Sequence, residues 1–381
     1  MKKRILSITT ICYLIVFLML LFIVFGCNTK VVDQTEAVDQ TEPEETETVM
    51  VQEQMNLTYA YGGPNQGAFA EANQWFTDEV SKQTDGKVNI TIHWGGTLVS
   101  QPDTLPSVGK GVVDMGAAMG GPTVSQNPHW STLSLGGAGQ DLWVLMWATY
   151  EMVNNNDMIL AEMDSHNVVA THGYAPGTPI LILKKEIKSL DDLKGLRIRT
   201  GTPDENVAWS KLGVEPVQIS PFELYESISR GVVDGALFTV AWADTLKLGE
   251  VAKYWYRFPG NLLGGDVTTV INKDIWNQFT PETQDVIKQI IEEYNDRYVQ
   301  AVIKLEMEVL DKVESELNVQ YLFVTEEINQ AYMNAMNDAR QDWFDRWEKE
   351  GLNTKEIWDE YQEYVQKYQI EFNSKGYPWE R

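Results

Sequence analysis

Alternating apolar and polar positions predict the strands in the first part of the chain, and apolar positions three to four apart predict the helices between them. Residues 55–61 and 88–94 alternate with a period of two, which is typical of strands. Residues 68–84 carry helical spacing. A further helix near residues 105–109 and a strand over 111–117 follow. Strands that alternate with helices predict the α/β class.

A short extended run near the middle of the chain contains the main candidate for ligand binding. Leu196 and Ile198 fall on one face of this run, and Arg197 and Arg199 fall on the other. The Gly-Thr-Pro-Asp sequence that follows ends the strand and leaves Arg199 at its carboxyl end. Open α/β sheets bind ligands outside the carboxyl ends of strands, and a guanidinium can hold a carboxylate through two hydrogen bonds. Arg199 is therefore predicted to anchor an anionic ligand; the alternative is an ion pair with a nearby acid.

The pattern downstream of this run continues the alternation. A helix that ends at Gly213, a strand over 215–219, a helix over 221–230 and a strand over 236–240 are predicted. A strand over 267–272 is interpreted as the chain returning to the first lobe.

The remainder of the chain is helical in pattern. Thr280 is a predicted N-cap, with Pro281 at the first helical position and an acid in the first turn. Apolar residues then recur three to four apart from Val286 to Val313, which predicts a helix long enough to run along both lobes. The alternative is an amphipathic surface helix. The aromatic-rich tail predicts two more packing helices.

Several short motifs together resemble one known family. Residues 191–199 read D-D-L-K-G-L-R-I-R and are followed by L-G-V-E-P-V, F-E-L-Y-E-S-I and G-V-V-D-G; the first half contains G-K-V-N-I-T-I, G-T-L and G-V-V-D-M. Over residues 57–368 the chain resembles the extracytoplasmic solute-binding proteins of TRAP transporters, the DctP family. The resemblance implies a two-lobed α/β fold like that of periplasmic binding proteins, with a long helix along both lobes. It also implies that Arg199 binds a substrate carboxylate, and that a small and a large TRAP membrane subunit are partners.

The sequence departs from that family in two places. Ala236 follows the Asp-Gly pair where many members have asparagine, and residues 178–183 contain no second arginine. We therefore expect a small organic acid with one carboxylate and an apolar or aromatic body.

Charge excludes one class of partner. The chain has 381 residues, a formal charge of -25 and a pI near 4.5, which argues against nucleic acid because phosphate binding needs a basic surface. An anionic ligand would need a locally positive pocket.

The N-terminus has the pattern of an export signal. Lys2, Lys3 and Arg4 precede an apolar run that ends at Gly26 and Cys27, which predicts a lipoprotein signal peptide over 1–26 and lipidation of Cys27. The alternative is an uncleaved single-span anchor. Either way the body is expected outside the cytoplasm, attached to the cell membrane. Cleavage would remove Cys12 and lipidation would block Cys27, so no disulfide is expected.

The chain divides into four predicted parts. Residues 27–54 are rich in Glu and Thr and predict a disordered acidic linker. Lobe I is predicted to comprise residues 55–176 and 265–305. Lobe II and the C-terminal helices are predicted to comprise residues 177–264 and 306–381.

No catalytic or cofactor motif is present. The four histidines, at 93, 129, 166 and 172, show no zinc-site spacing, and there is no nucleophile elbow, phosphate loop or dinucleotide fingerprint. We therefore predict a protein that is not an enzyme and has no cofactor or resident metal. Whether a metal ion bridges the ligand carboxylate stays open. The alternatives are a binding lipoprotein of an ABC importer or sensor and a secreted hydrolase or isomerase.

The predicted binding residues lie in loops expected at strand ends. Glycine-rich loops can donate backbone amides to an anion, and aromatic side chains can cover an apolar body. For the two aromatic candidates the alternative is ordinary core packing. The predicted substrate-binding residues are Arg199, Thr202, Phe238, Trp242, Gly63, Gln66, Gly120 and Gly121.

Overall fold

The computed structural model describes residues 52–120, 124–174, 177–260, 262–263 and 267–381. The predicted signal peptide, Cys27 and nearly all of the predicted linker lie outside these residues, as does Gly121. The strands are β1 (Met55–Ala60), β2 (Val88–His93), β3 (Met115–Met119), β4 (Gly136–Gly139), β5 (Val168–Tyr174), β6 (Pro179–Leu183), β7 (Arg197–Arg199), β8 (Glu215–Val217), β9 (Gly235–Thr239), β10 (Tyr254–Arg257), β11 (Leu262–Leu263), β12 (Val267–Asn272) and β13 (Gln320–Phe323).

The helices alternate with these strands in the first two-thirds of the chain and dominate the last third. They are α1 (Ala68–Gln83), α2 (Thr104–Gly109), α3 (Pro128–Ser131), α4 (Leu142–Asn155), α5 (Asp157–Ser165), α6 (Pro203–Lys211), α7 (Leu224–Ser229), α8 (Val240–Thr245), α9 (Leu248–Val251), α10 (Lys273–Trp276), α11 (Pro281–Leu317), α12 (Glu326–Lys349) and α13 (Thr354–Lys375).

Lobe I is built on a five-stranded sheet with the order β2-β1-β3-β12-β5. The first three strands are parallel, and β12 runs antiparallel to β3 and β5. All six residues of β12 are buried because the strand is paired on both sides and covered on both faces. Strand β12 lies within the lobe I sheet, so the chain returns to lobe I at residues 267–272, as predicted.

Lobe II is built on a six-stranded sheet with the order β13-β10-β6-β9-β7-β8. Strands β9, β7 and β8 are parallel, whereas β6 runs antiparallel to both its neighbours. Arg199 is the last residue of β7, so its position at the carboxyl end of a strand is as expected from the alternation. A two-stranded antiparallel ribbon, β4 and β11, is separate from both sheets.

The long helix α11 has buried residues in the cores of both lobes. It begins after Thr280, whose side chain accepts a hydrogen bond from the Thr283 amide. Its earlier part, including Tyr294 and Val302, packs in the lobe I core, and its later part, including Val309, packs in the lobe II core. At 37 residues it spans about 55 Å. The two-lobed α/β fold with a long helix along both lobes is confirmed.

The C-terminal helices, which the sequence grouped in one range with lobe II, pack in the cores of both lobes. The first half of α12, including Tyr332, packs in the lobe II core, but Trp343 near its end belongs to the lobe I core. The buried residues of α13, including Tyr361, also belong to the lobe I core. The tail therefore crosses back to lobe I, and its aromatic stripe is core, as predicted.

Other local expectations were wrong or incomplete. Phe238 lies in β9, within the predicted strand over 236–240, whereas Trp242, expected in a loop at the strand end, lies in α8, because a buried apolar segment continues directly from the strand into a short helix. The sequence pattern did not indicate α5, β6 or β10. Among the described residues, no helix has the length and apolarity needed to cross a membrane.

Candidate functional site

Arg199 is partly buried and lies between β8 and β9, where it meets only backbone acceptors. Its Nε atom donates to the Ile219 carbonyl and its Nη1 atom to the Leu237 carbonyl, each at 3.3 Å. No carboxylate oxygen in the described part of the chain lies within 4 Å of its nitrogens. Burial lowers the pKa of Arg199, and this effect is opposed by Glu205. The guanidinium is thus desolvated without an ion-pair partner.

Arg197, two residues earlier in the same strand, has the opposite environment. Its guanidinium forms an ion pair with Asp234 at 3.3 Å and donates to the Gly231 carbonyl at 2.9 Å. Asp234 also accepts from the Arg197 amide, so this pair fastens the turn before β9 to β7. The alternative considered for Arg199, a structural ion pair, describes Arg197 instead.

Phe238 covers one side of the Arg199 guanidinium. Its ring centroid lies 5.5 Å from the Arg199 Cζ atom, which is the geometry of a cation-π contact. Phe238 is half-buried, so part of its ring is exposed beside the cation. An aromatic face and a cation together suit a ligand with an apolar body and an anionic group.

Thr202 caps helix α6, and its hydroxyl is already hydrogen-bonded within the protein. Its side chain accepts from the Glu205 amide, and the Glu205 side chain accepts from the amides of Gly201 and Thr202, at 2.7 and 3.1 Å. This reciprocal arrangement is a capping box. Thr202 therefore fixes the start of α6, three residues after Arg199 in the chain.

Glu205 is a buried acid next to the Arg199 side chain. Only 1% of the residue is exposed. Burial and the charge of Asp204 raise the pKa of Glu205 to about 7, against the lowering effect of the two backbone amides and of Arg199. A Cβ atom at Gly201 would lie 3.4 Å from Glu205 Oε2 and 3.8 Å from Arg199 Nη1, so both groups border the exposed Gly201.

Asp204 connects the start of α6 to the β4–β11 ribbon. It accepts from the Gly136 amide at 3.3 Å, while the Gly136 carbonyl accepts from Arg340 at 2.8 Å. Burial raises the pKa of Asp204. Arg340, whose guanidinium also lies 4.4 Å from the Trp358 ring, is the cation that faces this acid.

Trp242 and Gly63 meet across the two lobes. The Trp242 ring stacks on Phe69 of α1, with centroids 5.1 Å apart and planes 15° from parallel. A Cβ atom at Gly63 would lie 3.2 Å from the Trp242 ring and 2.6 Å from Tyr61, so only glycine fits there. Gln66 lies in the same loop and is exposed.

Gly120 contacts Ser131 of α3. It follows β3, and its carbonyl accepts from the Ser131 hydroxyl at 2.9 Å. It packs directly against the Ser131 backbone. The structure therefore brings Arg199, Thr202 and Phe238 together, and Trp242 with Gly63.

Glu306 holds the chain where it crosses from lobe I to lobe II, and the sequence analysis did not select it. It lies on the long helix and accepts from the Thr178 amide at 2.5 Å and the Thr178 hydroxyl at 2.7 Å. Burial raises its pKa, against the lowering effect of these two hydrogen bonds. The sequence signal that could have identified Glu306 is an acidic residue within the apolar stripe of the long helix, between Val302 and Val309.

Metal coordination has no support in the described residues. They contain no group of three His, Cys, Asp or Glu side chains placed to hold an ion. His172 is fully buried between the rings of Phe76 and Tyr294, at 4.7 and 4.3 Å, and burial lowers its pKa to about 3. It is therefore a neutral core residue.

Two lobes joined by crossovers and a shared helix, with a desolvated arginine at a strand end, define a binding protein of the two-lobed type. The sequence model for bacterial extracellular solute-binding protein family 7, DctP, matches residues 60–346. The chain belongs to this family, and the resemblance to the extracytoplasmic solute-binding proteins of TRAP transporters is confirmed. Family members are extracytoplasmic proteins that bind solutes for transport.

Individual relatives carry different ligand names. A monocarboxylate 2-oxoacid-binding periplasmic protein from Nostoc sp. is 29% identical over 226 residues, covering 57% of this chain and 59% of the relative. A C4-dicarboxylate-binding protein from Bacillus subtilis is 26% identical over 249 residues, covering 62% and 68%. A TRAP solute-binding protein from Rhodoferax ferrireducens, solved with copurified benzoate, has a TM-score of 0.73 and 18% identity, covering 83% of this chain and 99% of that one. The last likeness shows the fold.

Proposed function

We propose that this protein captures a small organic acid outside the cytoplasm and delivers it to the small and large membrane subunits of a TRAP-type transporter. Arg199 is the anchor for the ligand carboxylate, and closure of the two lobes buries the pair. Lipidation of Cys27 attaches the protein to the cell membrane.

The observation that carries this proposal is the unpaired environment of Arg199. Removing a guanidinium from water is costly unless an anion compensates it, and its two carbonyl contacts supply no negative charge. A carboxylate would supply that charge and two strong hydrogen bonds. The relatives named above, by their own descriptions, bind acids that carry at least one carboxylate.

Phe238 and Trp242 are proposed to cover the ligand body. The half-buried Phe238 ring lies against the cation, and Trp242 contacts Phe69 and the Gly63 loop of lobe I. Gln66, Gly120 and Gly121 remain proposals on the basis of the sequence pattern alone.

The direct test is ligand binding by variants of β7. The full-length protein, solubilised in detergent, is screened by its thermal transition against a panel of organic acids, since a ligand that binds only the native state raises the melting temperature. Arg199→Ala should weaken binding about a hundredfold or more, and Arg199→Lys should weaken it less, because lysine keeps the charge but lacks the fork.

Arg197→Lys is the matched control. It changes the same residue type on the same strand, at the group that is already paired with Asp234. We expect its affinity for the ligand to equal that of the wild type. Wild-type affinity in Arg199→Ala would contradict the anchor, and turnover of the bound acid would favour a hydrolase or isomerase.

Anchoring and delivery have separate tests. Incorporation of labelled palmitate into the wild type, but not into Cys27→Ser, would support the lipid anchor. Uptake of the ligand by cells that carry the two membrane subunits but no ATPase subunit of an importer for this ligand would support TRAP delivery. If uptake instead depends on such an ATPase subunit, an ABC importer is favoured.

A further inference from the structure

Two buried acids lie near Arg199 and Arg340 before any ligand binds, although neither acid forms an ion pair with Arg199. Arg199 faces Glu205, while Arg340 of α12 faces Asp204. The two acids are nearly inaccessible, with 1% of Glu205 and 5% of Asp204 exposed. Two cations and two acids are thus held together in a largely desolvated region, where electrostatic interactions are strong.

The remaining charged groups on the elements that pack against α6 point outward. Lys211 at the end of α6 pairs with Asp338 of α12 at 3.1 Å, with 38% of the Lys211 side chain and 66% of the Asp338 side chain exposed. Glu215 at the start of β8 is also exposed. These groups are screened by solvent and cannot neutralise an added charge beside Arg199.

A ligand carboxylate at Arg199 would be a third negative group in this cluster. Glu205 Oε2 and Arg199 Nη1 border the same exposed glycine, Gly201, so an acid that reaches the guanidinium there also approaches Glu205. When two like charges lie close together in a desolvated site, the ionised state of one of them is disfavoured. The carboxylic acid that can most easily become neutral is Glu205, since its pKa is already about 7.

We propose that Glu205 takes up one proton from solvent when a carboxylate binds Arg199, and that the site therefore selects acids with a single negative charge. This inference rests on the proposed function of Arg199. The ligand keeps its charge, Glu205 changes from carboxylate to carboxylic acid, and no other bond forms or breaks.

A second ligand carboxylate would need a cation besides Arg199. Strand β6, the first element of lobe II, is apolar and buried at every residue. Arg197 forms an ion pair with Asp234, and Arg340 interacts electrostatically with Asp204. A dicarboxylate would add a second negative charge to a region that already holds two buried acids, so we expect it to bind at least about tenfold more weakly than a monocarboxylate of similar size.

Proton uptake makes affinity depend on pH in a defined way. Above pH 7 Glu205 is mostly ionised in the free protein, so binding at pH 8.5 should take up a proton, and the affinity should fall as the pH rises, by at most about tenfold for each pH unit. Below pH 6 the group is mostly protonated already. There, uptake should approach zero and the affinity should be constant.

The test is calorimetry of the full-length protein with defined probes at pH 6 and pH 8.5. Benzoate, phenylacetate and mandelate are the monocarboxylate probes, and succinate, malate and phthalate are the dicarboxylate probes. Titrations at pH 8.5 in two buffers of different ionisation enthalpy give the number of protons taken up. The wild type alone supplies this number, so the test does not depend on any variant folding.

The variant Glu205→Gln tests whether Glu205 is the group that takes up the proton. Glutamine is neutral, resembles the protonated acid, and keeps an oxygen that can accept from Gly201 and Thr202. We expect no proton uptake, the same affinity at both pH values, and improved binding of dicarboxylates. Glu215→Gln is the matched control on the exposed edge of the neighbouring strand and should behave as the wild type.

The outcomes separate the two proposals. If none of the six acids binds, the carboxylate function fails and the inference fails with it. If a dicarboxylate binds more tightly than every monocarboxylate, or if binding at pH 8.5 takes up no proton, the charge exchange at Glu205 is refuted while the carboxylate function stands.

Discussion

Replacing Glu205 by glutamine in the ligand-free protein is expected to stabilise the fold at alkaline pH. The side chain is 1% exposed, and its carboxylate faces the buried Asp204 as well as Arg199. Ionising Glu205 therefore costs free energy that the two amide hydrogen bonds only partly offset. Glutamine keeps an acceptor for those amides but carries no charge.

The magnitude follows from the shift in pKa. In the folded protein the pKa of Glu205 is about 7, raised from an ordinary value of 4.5. A raised pKa means that the stabilisation of the protonated form is complete below pH 4.5 and is lost as the pH rises through 7. The shift corresponds to about 3 kcal/mol. The advantage of Glu205→Gln over the wild type should grow by this amount between pH 4.5 and pH 8.5.

Urea denaturation followed by tryptophan fluorescence measures this advantage. Comparing the variant with the wild type at each pH cancels the titration of the other acids, and Glu215→Gln provides a control at an exposed position. If the difference in free energy of unfolding between Glu205→Gln and the wild type is the same at pH 4.5 and pH 8.5, the reasoning is refuted.

Three other substitutions test parts of the framework. Glu306→Ala leaves the amide and hydroxyl of Thr178 without their acceptor and should lower the free energy of unfolding by about 2 kcal/mol in urea; Glu306→Gln should cost less. Trp242→Ala removes the stacking on Phe69 between the lobes and should weaken ligand binding about tenfold by calorimetry; unchanged affinity would exclude that contact from the bound state. Thr280→Ala removes the N-cap of α11 and should cost about 1 kcal/mol in the same urea assay, whereas no loss would show that another acceptor replaces the hydroxyl.

The position of Arg199 could be predicted from the sequence because the period of a strand fixes which side chains share a face. Ile198 is fully buried, and the two arginines flank it on the opposite face. The alternation could not show which arginine is paired. That difference depends on Asp234, which reaches Arg197 only because β9 lies beside β7 in the sheet.

Local sequence patterns did not predict the burial of the acids near Arg199. Thr202 and Glu205 form a recognisable capping box, but such boxes are usually exposed, and the burial of Glu205 results from distant parts of the chain that cover the start of α6. Trp242 lies in a short helix that follows Thr239, whose side chain makes no capping hydrogen bond. The apolar periodicity of the tail predicted its helices but not which lobe they would cover.

The most direct test of the account is a crystal structure of the protein with the acid that binds most tightly in the panel. The account predicts that the ligand carboxylate accepts two hydrogen bonds from Arg199, with nitrogen–oxygen distances of about 2.8 Å. A carboxylate held elsewhere, with Arg199 still bound only to the carbonyls of Ile219 and Leu237, would contradict it.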